Sequence, residues 1–408
     1  MAQVNRREFQ RISAAGIAGG CIPAIGATGK AAKIDETLRS GIAARKIPTA
    51  VGMVGNGKSV LYEGAFGTRD SSGVAVRMDS MFSIASMTKA ITTVAALQLV
   101  EQGKIGLDEP AGKHLPALAK LQVLHGFDAN GRPVLQPANK AVTLRHLVTH
   151  TSGFCYDTWD PEMWRYANAK GIPEGTPQPL MFEPGTRWQY GQGVDWTGRL
   201  VEAISGLTLE DYFQKNILMP LGMRDTSYIL EPGKFDRLVS NYRRNADGGL
   251  VQDERKLPNR PMSFNGGGGL ISTAGDYLKF TQMILGQGVG VNGTRVVRAA
   301  TVESMEVNQI GRLGAGKMKS FRPEMSRDVD IQPGFEEKWG LGFLINTTAY
   351  AGGRSAGSLA WAGLFNTFYW IDPKRDLCAV LLMQFLPFVD PEAVGLLGDF
   401  ERAVYAAL

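Results

Sequence analysis

Cysteine is scarce in this chain. Of three among 408 residues, Cys21 falls in an N-terminal stretch set apart from the rest, leaving Cys155 and Cys378. Two isolated thiols exclude a disulfide scaffold and a cysteine-ligated zinc site. They are expected to be buried and free, a bridge being open to them only in an oxidising compartment and only if the fold brings them together. Histidine is sparse too: His114, His125, His146 and His150 are the whole set, so no serine late in the chain has a triad histidine downstream of it. Past the N-terminus no uninterrupted apolar run is long enough for a membrane helix. No run of lysines and arginines carries interleaved aromatics, which leaves a nucleic-acid footprint unsupported. No segment repeats.

What is present is ordinary globular composition, 44% hydrophobic and 20% charged, in a chain long enough for one elaborate domain or two smaller ones. The exception is the start. "NRREFQRISAAGIAGGCIPAIGATGKAA" joins Arg6 and Arg7, with Phe9 behind them, to a Gly/Ala-rich apolar run ending in small residues. Residues 1–30 therefore read as an export signal of the twin-arginine type, which implies a periplasmic or secreted protein with no stable membrane insertion once the signal is gone. Lipid anchoring through Cys21 is the weaker reading, because Ala18 stands where a lipoprotein cleavage box has a large aliphatic residue. Removing the signal takes the formal net charge from +5 to +2, so the basic pI says little about partners.

Beyond it, "IDETLRSGIAARKI" suits a helix with Ile34, Leu38 and Ile42 on one face, and "TAVGMVGNGKSVLYEGAFG" suits a hairpin turning at Asn56-Gly57. Residues 108–261 read as proline-punctuated helices and loops with few strand signals. Strand character returns in "WGLGFLINTT", "GSLAWAGLFNTFYWIDP" and "LCAVLLMQF", before a closing helix in "PEAVGLLGDFERAVYAAL". The pattern predicts an α+β fold: an antiparallel sheet built from both chain ends (31–107 and 262–408) with flanking helices, and a mainly helical inserted subdomain over 108–261.

Met87 to Gln102 lacks proline and glycine and is apolar nearly all round, which predicts a helix buried on every side. Ser86 sits at its N-terminal end, where unpaired amides and the helix dipole favour negative charge on a serine oxygen. Lys89 lies one turn on, on the same face. A lysine carried into a dry site loses hydration, and the neutral amine that results can accept the serine's proton. Alone this four-residue pattern is equally a helix cap followed by a surface lysine.

Further motifs add weight. "SMTK" fits the SxxK pattern of serine β-lactamases and penicillin-binding proteins. "RWQYGQGVDWTG" offers Tyr190 and Gln192 where that superfamily has YxN, and "WAG" at Trp361–Gly363 stands where it has a KTG-like triplet. With "LVTHTSGF", "PLGMRDTSY", "GGGGLISTAGDYLKF" and "FYWIDP", the chain resembles the family VIII carboxylesterases, relatives of class C β-lactamases, over nearly everything after the signal. The resemblance implies a β-lactamase/transpeptidase-like fold, no metal or organic cofactor, Ser86 as nucleophile, Lys89 and Tyr190 as the base and acid pair, and the backbone N–H groups of Ser86 and Leu364 as oxyanion hole. It also implies that Gln192, Trp361 and Gly363 meet the substrate. Gln192 departs from the asparagine of YxN by one methylene. Trp361 replaces the lysine that binds a substrate carboxylate in lactamases and peptidases, so an apolar wall and a small uncharged ester are expected, with Gly363 allowing close backbone approach.

Three rival signals compete. "GRSAG" fits a nucleophile elbow at Ser355, but a strand follows it where a helix is required. "HLVTH" sets His146 and His150 four apart without the glutamate of a zinc helix. "GRLGAGKM" lacks the Ser or Thr that ends a phosphate loop. Asp195 is expected to cap or brace a helix, and Phe154, Tyr156, Trp159, Trp164 and Trp188 either line a pocket or fill the core. The reading is an esterase working through an acyl-enzyme. Its alternatives are a β-lactamase or D-amino-acid peptidase with Arg354 supplying the missing cation, an acyltransferase, and a non-catalytic receptor for peptidoglycan or β-lactams.

Overall fold

A computed structural model describes residues 29–408 except 170, 171, 174, 175, 246 and 332. The export signal and Cys21 lie outside the described residues, apart from Gly29 and Lys30. Those two open the first helix, α1 (Gly29–Ala44), which buries Ile34, Leu38 and Ile42. The strands β1 (Thr49–Gly55) and β2 (Val60–Gly67) form the hairpin; Asn56 Oδ1 accepts from the N–H groups of Lys58 and Ser59 at 2.9 and 2.8 Å and so shapes the turn. Then come α2 (Thr88–Glu101), α3 (Gly193–Ser205) and α4 (Ala274–Leu285), and the late strands β3 (Glu337–Trp339), β4 (Leu344–Asn346), β5 (Leu359–Gly363), β6 (Thr367–Asp372) and β7 (Leu377–Leu382). Helix α5 (Pro391–Ala407) closes the chain.

The sheet has seven strands in the order β2-β1-β7-β6-β5-β4-β3, antiparallel throughout. The early hairpin and the late strands therefore share one sheet. Successive residues of β1 point to opposite faces. A side chain at Gly52 would meet Leu38 of α1 and Phe400 of α5, whereas Met53 lies against Gly275 of α4. Helices α1 and α5 thus cover one face and α4 the other, giving an α+β architecture of helices around an antiparallel sheet.

Between Asp108 and Pro261 lie α3 and the short helices Leu144–Val148, Pro161–Ala167 and Leu209–Phe213. This stretch carries more strand than expected. Gln122–Phe127 pairs with Pro133–Pro137, and Tyr242–Arg244 pairs with both Leu250–Gln252 and Phe385–Leu386. Pro133–Pro137 is largely exposed and begins and ends in proline, and Leu250–Gln252 and Phe385–Leu386 are only three and two residues long, so these strands leave little alternation to read.

Every residue of α2 from Thr88 to Leu99 is buried. Its start is pinned on two sides: Tyr277 of α4 donates from its hydroxyl to the carbonyl of Met87 at 2.9 Å, and Thr92 Oγ1 donates to the carbonyl of Gly266 at 2.7 Å. Cys155 and Cys378 are both buried and free.

Candidate active site

The chain reaches α2 through a short strand, Phe82–Ser83, paired with Ile271–Ser272, and a single tight turn, Ala85–Met87. Ala85 takes a left-handed conformation, φ 43°, which a residue with a Cβ adopts only where surrounding contacts hold it. Ser86 follows immediately and is partly exposed, whereas Lys89 is buried. The Lys89 amine lies 3.2 Å from Ser86 Oγ, 3.1 Å from the Tyr156 hydroxyl and 2.6 Å from the carbonyl of Gly267. Tyr156 in turn donates to Asp195 Oδ2 at 2.7 Å. Burial pushes the Tyr156 phenol well above its usual range, and the neighbouring Asp195 charge adds to the effect.

Tyr190 is buried with its ring centre 4.9 Å from the Lys89 amine. Among the described residues its hydroxyl has one hydrogen bond, accepted from Trp361 Nε1 at 3.1 Å, and none joins it to Ser86 or Lys89. Its ring packs on His150 at 4.5 Å between centres. His150 is buried, accepts at Nδ1 from the N–H of Gly191, and is held well below its usual pKa by burial and then by the Lys89 charge. It is a neutral wall behind the tyrosine. His146 serves elsewhere, completing a capping box with Thr143.

Ser86 opens onto a cavity of about 510 Å³. Its walls are mainly apolar, with Tyr156, Trp159, Tyr228, Ile271, Met325 and Leu364 among them; Ser83, Thr158 and Asn259 add polar groups, and no charged side chain is among the described residues that line it. Leu364 and Ser86 share this cavity. They are brought together by Gly363, where an added Cβ would stand 2.3 Å from the carbonyl oxygen of Ile84, so β5 packs directly on the backbone that precedes Ser86.

Two expected substrate contacts are placed differently. Trp361 is absent from the cavity wall; it stands behind Tyr190, edge-on to Trp339, on a separate internal void of about 30 Å³. Residue 361 shares a face of β5 with Gly363 and so points to the catalytic side, but the Tyr190 ring, 4.9 Å away between centres, takes the place in front of it. The apolar wall expected of it falls to Trp159 and Met325. Gln192 precedes the first turn of α3, makes no side-chain cap and does not line the cavity. Of the five aromatics weighed, Tyr156 and Trp159 line the cavity, Phe154 stacks on Trp196, Trp188 packs on Trp339, and Trp164 is exposed.

Arg354 offers no cation to a substrate. It is buried in a paired contact with Glu401, Nε and Nη2 donating at 3.0 and 2.6 Å. Ser355 beside it donates its N–H to Asp372 and sits in a turn. The contribution of Gly267 went unread in the sequence. Its signal was the run "NGGGGLIST", whose glycines let the chain pass close to α3: a Cβ at Gly267 would lie 2.2 Å from Asp195 Oδ2.

The family model described as Beta-lactamase matches residues 34–400. The chain is 31% identical to the ML-236A carboxylate methylbutanoyltransferase mlcH of Penicillium citrinum over 93% of its own length and 95% of that protein's. It is 32% identical to a lovastatin esterase of Penicillium rubens over 81% and 86% of the two lengths. Among solved structures, the unliganded selenomethionyl form of simvastatin synthase (LovD) from Aspergillus terreus superposes with a TM-score of 0.80 at 32% identity, covering 93% of this chain and 99% of that one.

Proposed function

We propose, from the premise that this chain belongs to the Beta-lactamase family and to its serine hydrolases and acyltransferases, that it cleaves uncharged carboxylic esters through an acyl-enzyme on Ser86. The observation that carries this reading is the Lys89 amine, buried and 3.2 Å from Ser86 Oγ at the edge of a cavity lined by no charged side chain. Ser86 Oγ bonds to the ester carbonyl carbon as its proton passes to Lys89. The oxyanion is received by the N–H groups of Ser86 and Leu364. The bond to the leaving alcohol then breaks as the Tyr190 hydroxyl gives the alcohol its proton, and the Lys89 ammonium, 4.9 Å from the Tyr190 ring centre, returns the serine's proton to the phenolate. An acceptor O–H repeats the sequence in reverse, giving its proton to the base as its oxygen takes the acyl group and frees Ser86.

Water as acceptor makes the protein an esterase, and an alcohol makes it an acyltransferase. The relatives support both readings, one being named a methylbutanoyltransferase and another an esterase. A lactamase or D-amino-acid peptidase reading lacks the cation that would hold a substrate carboxylate, since Arg354 is committed to Glu401. A receptor needs no proton-transfer set. Steady-state turnover of a short-chain p-nitrophenyl ester, repeated with an added alcohol, is the test. Sustained release of nitrophenol is expected, with the acid-to-ester product ratio deciding the acceptor. A single burst without turnover, or opening of a cephalosporin with no ester cleavage, sinks the proposal. We also infer a periplasmic or secreted location from Arg6 and Arg7, which fractionation of expressing cells would check.

A further inference from the structure

For Lys89 as the neutral amine that the proposed mechanism requires of a base, the hydrogen-bond inventory has one consistent solution; an ammonium would instead donate to all three neighbours. Tyr156 carries a single hydroxyl proton and commits it to Asp195 at 2.7 Å. Toward Lys89, 3.1 Å away, the phenol oxygen can then only accept. The carbonyl of Gly267, at 2.6 Å, can only accept as well. A neutral amine has two N–H groups, and both are claimed. Its lone pair is left facing the third neighbour, Ser86 Oγ, at 3.2 Å.

We infer that Asp195, acting through Tyr156, is a positioning residue that fixes the Lys89 lone pair on Ser86. Asp195 touches neither the cavity nor Ser86; it faces the Tyr156 hydroxyl on one side and the Gly267 backbone on the other. Without its acceptor oxygen, the phenol proton is free to turn to the Lys89 lone pair and compete with the serine for it. The arrangement also serves the return step. Once Lys89 has taken the serine's proton, its other two N–H groups remain bound to Tyr156 and Gly267, and the new one lies on the line to Ser86 Oγ, to which a proton returns when the acyl group leaves.

This inference rests on the proposed role of Ser86, so the experiment reads serine reactivity apart from ester choice. The rate of Ser86 labelling by a fluorophosphonate is measured for wild type, Asp195→Leu, Tyr156→Phe and the double variant, beside kcat and KM for the p-nitrophenyl ester. Each single change is expected to slow labelling and kcat roughly 10-fold, the loss of one aligned hydrogen bond. KM should stay near the wild-type value for Asp195→Leu, and the double variant should be no slower than Tyr156→Phe alone. An additive loss in the double variant, or a rise in KM without a fall in kcat, overturns the inference. If Asp195→Leu does not fold, Tyr156→Phe decides alone: wild-type labelling by it is an overturning result. A wild type that is labelled at Ser86 yet cleaves no ester refutes the ester reading while the labelling rates still judge Asp195. A wild type not labelled at Ser86 refutes both.

Discussion

Ser86 and Ser355 both stand in nucleophile-like sequence patterns, yet their surroundings differ in kind. Ser86 has a buried amine beside it and a cavity in front; Ser355 has its N–H on Asp372 and its carbonyl accepting from Asn346. Ser86→Ala is therefore expected to remove ester turnover and Ser355→Ala to leave most of it, read by p-nitrophenol release; the opposite pattern refutes the site. Trp361 supports a second expectation. Its indole N–H occupies an acceptor site of the Tyr190 oxygen and leaves the phenol's own proton uncommitted. Trp361→Phe keeps a ring against Trp339 but removes that donor, so kcat should fall roughly 2- to 10-fold with KM little changed. Unchanged kcat would mean that the tryptophan only fills space.

At the scale of elements, the site depends on how closely β5 meets the turn before α2. A methyl at residue 363 would be 2.3 Å from the Ile84 carbonyl, a backbone atom that cannot swing aside. Gly363→Ala should push the strand and the turn apart, costing about 1–3 kcal/mol in denaturant unfolding as overpacking does, and slowing Ser86 labelling. Gly314→Ala, where the added methyl meets nothing within 4 Å, is the matched control. A Gly363→Ala protein as stable as that control contradicts the contact. The element pattern explains what the sequence could and could not reveal. Helix α2 was legible because a stretch apolar nearly all round, without proline or glycine, reads as a buried helix, and β1 and β2 were legible from the turn signal at Asn56-Gly57 between them. The partnership of Tyr156 with Lys89 was not. It joins residues 67 apart in the chain through a phenol that looked like one aromatic among several. The placement of Trp361 was hidden for a related reason: a motif gives the neighbours of a residue along the strand, but the side chain packed in front of it, here Tyr190, comes from a distant part of the chain.

Over the whole molecule, one sheet drawn from both chain ends must accommodate a carboxyl on its edge strand. Glu337 of β3 is 4% exposed, with Tyr350 at 3.5 Å. Burial pushes its carboxyl up to about 7; Arg354 and Lys317 pull it down, and Asp330 pushes it further up. A folded-state value above the unfolded one means that the native protein holds this proton more tightly than the unfolded chain does. The associated stability is full below the ordinary value of 4.5 and is lost as pH rises to about 7, after which it is constant. The loss is roughly 3 kcal/mol across that window. Glu337→Gln keeps the shape of the protonated acid and cannot ionise. The difference in melting temperature between Glu337→Gln and wild type should therefore be near zero at pH 4, open in favour of the variant through pH 5 and 6, and level off by pH 8. A difference that is flat in pH, or that favours wild type at the alkaline end, would place the charge of Glu337 among favourable partners rather than in a dry pocket.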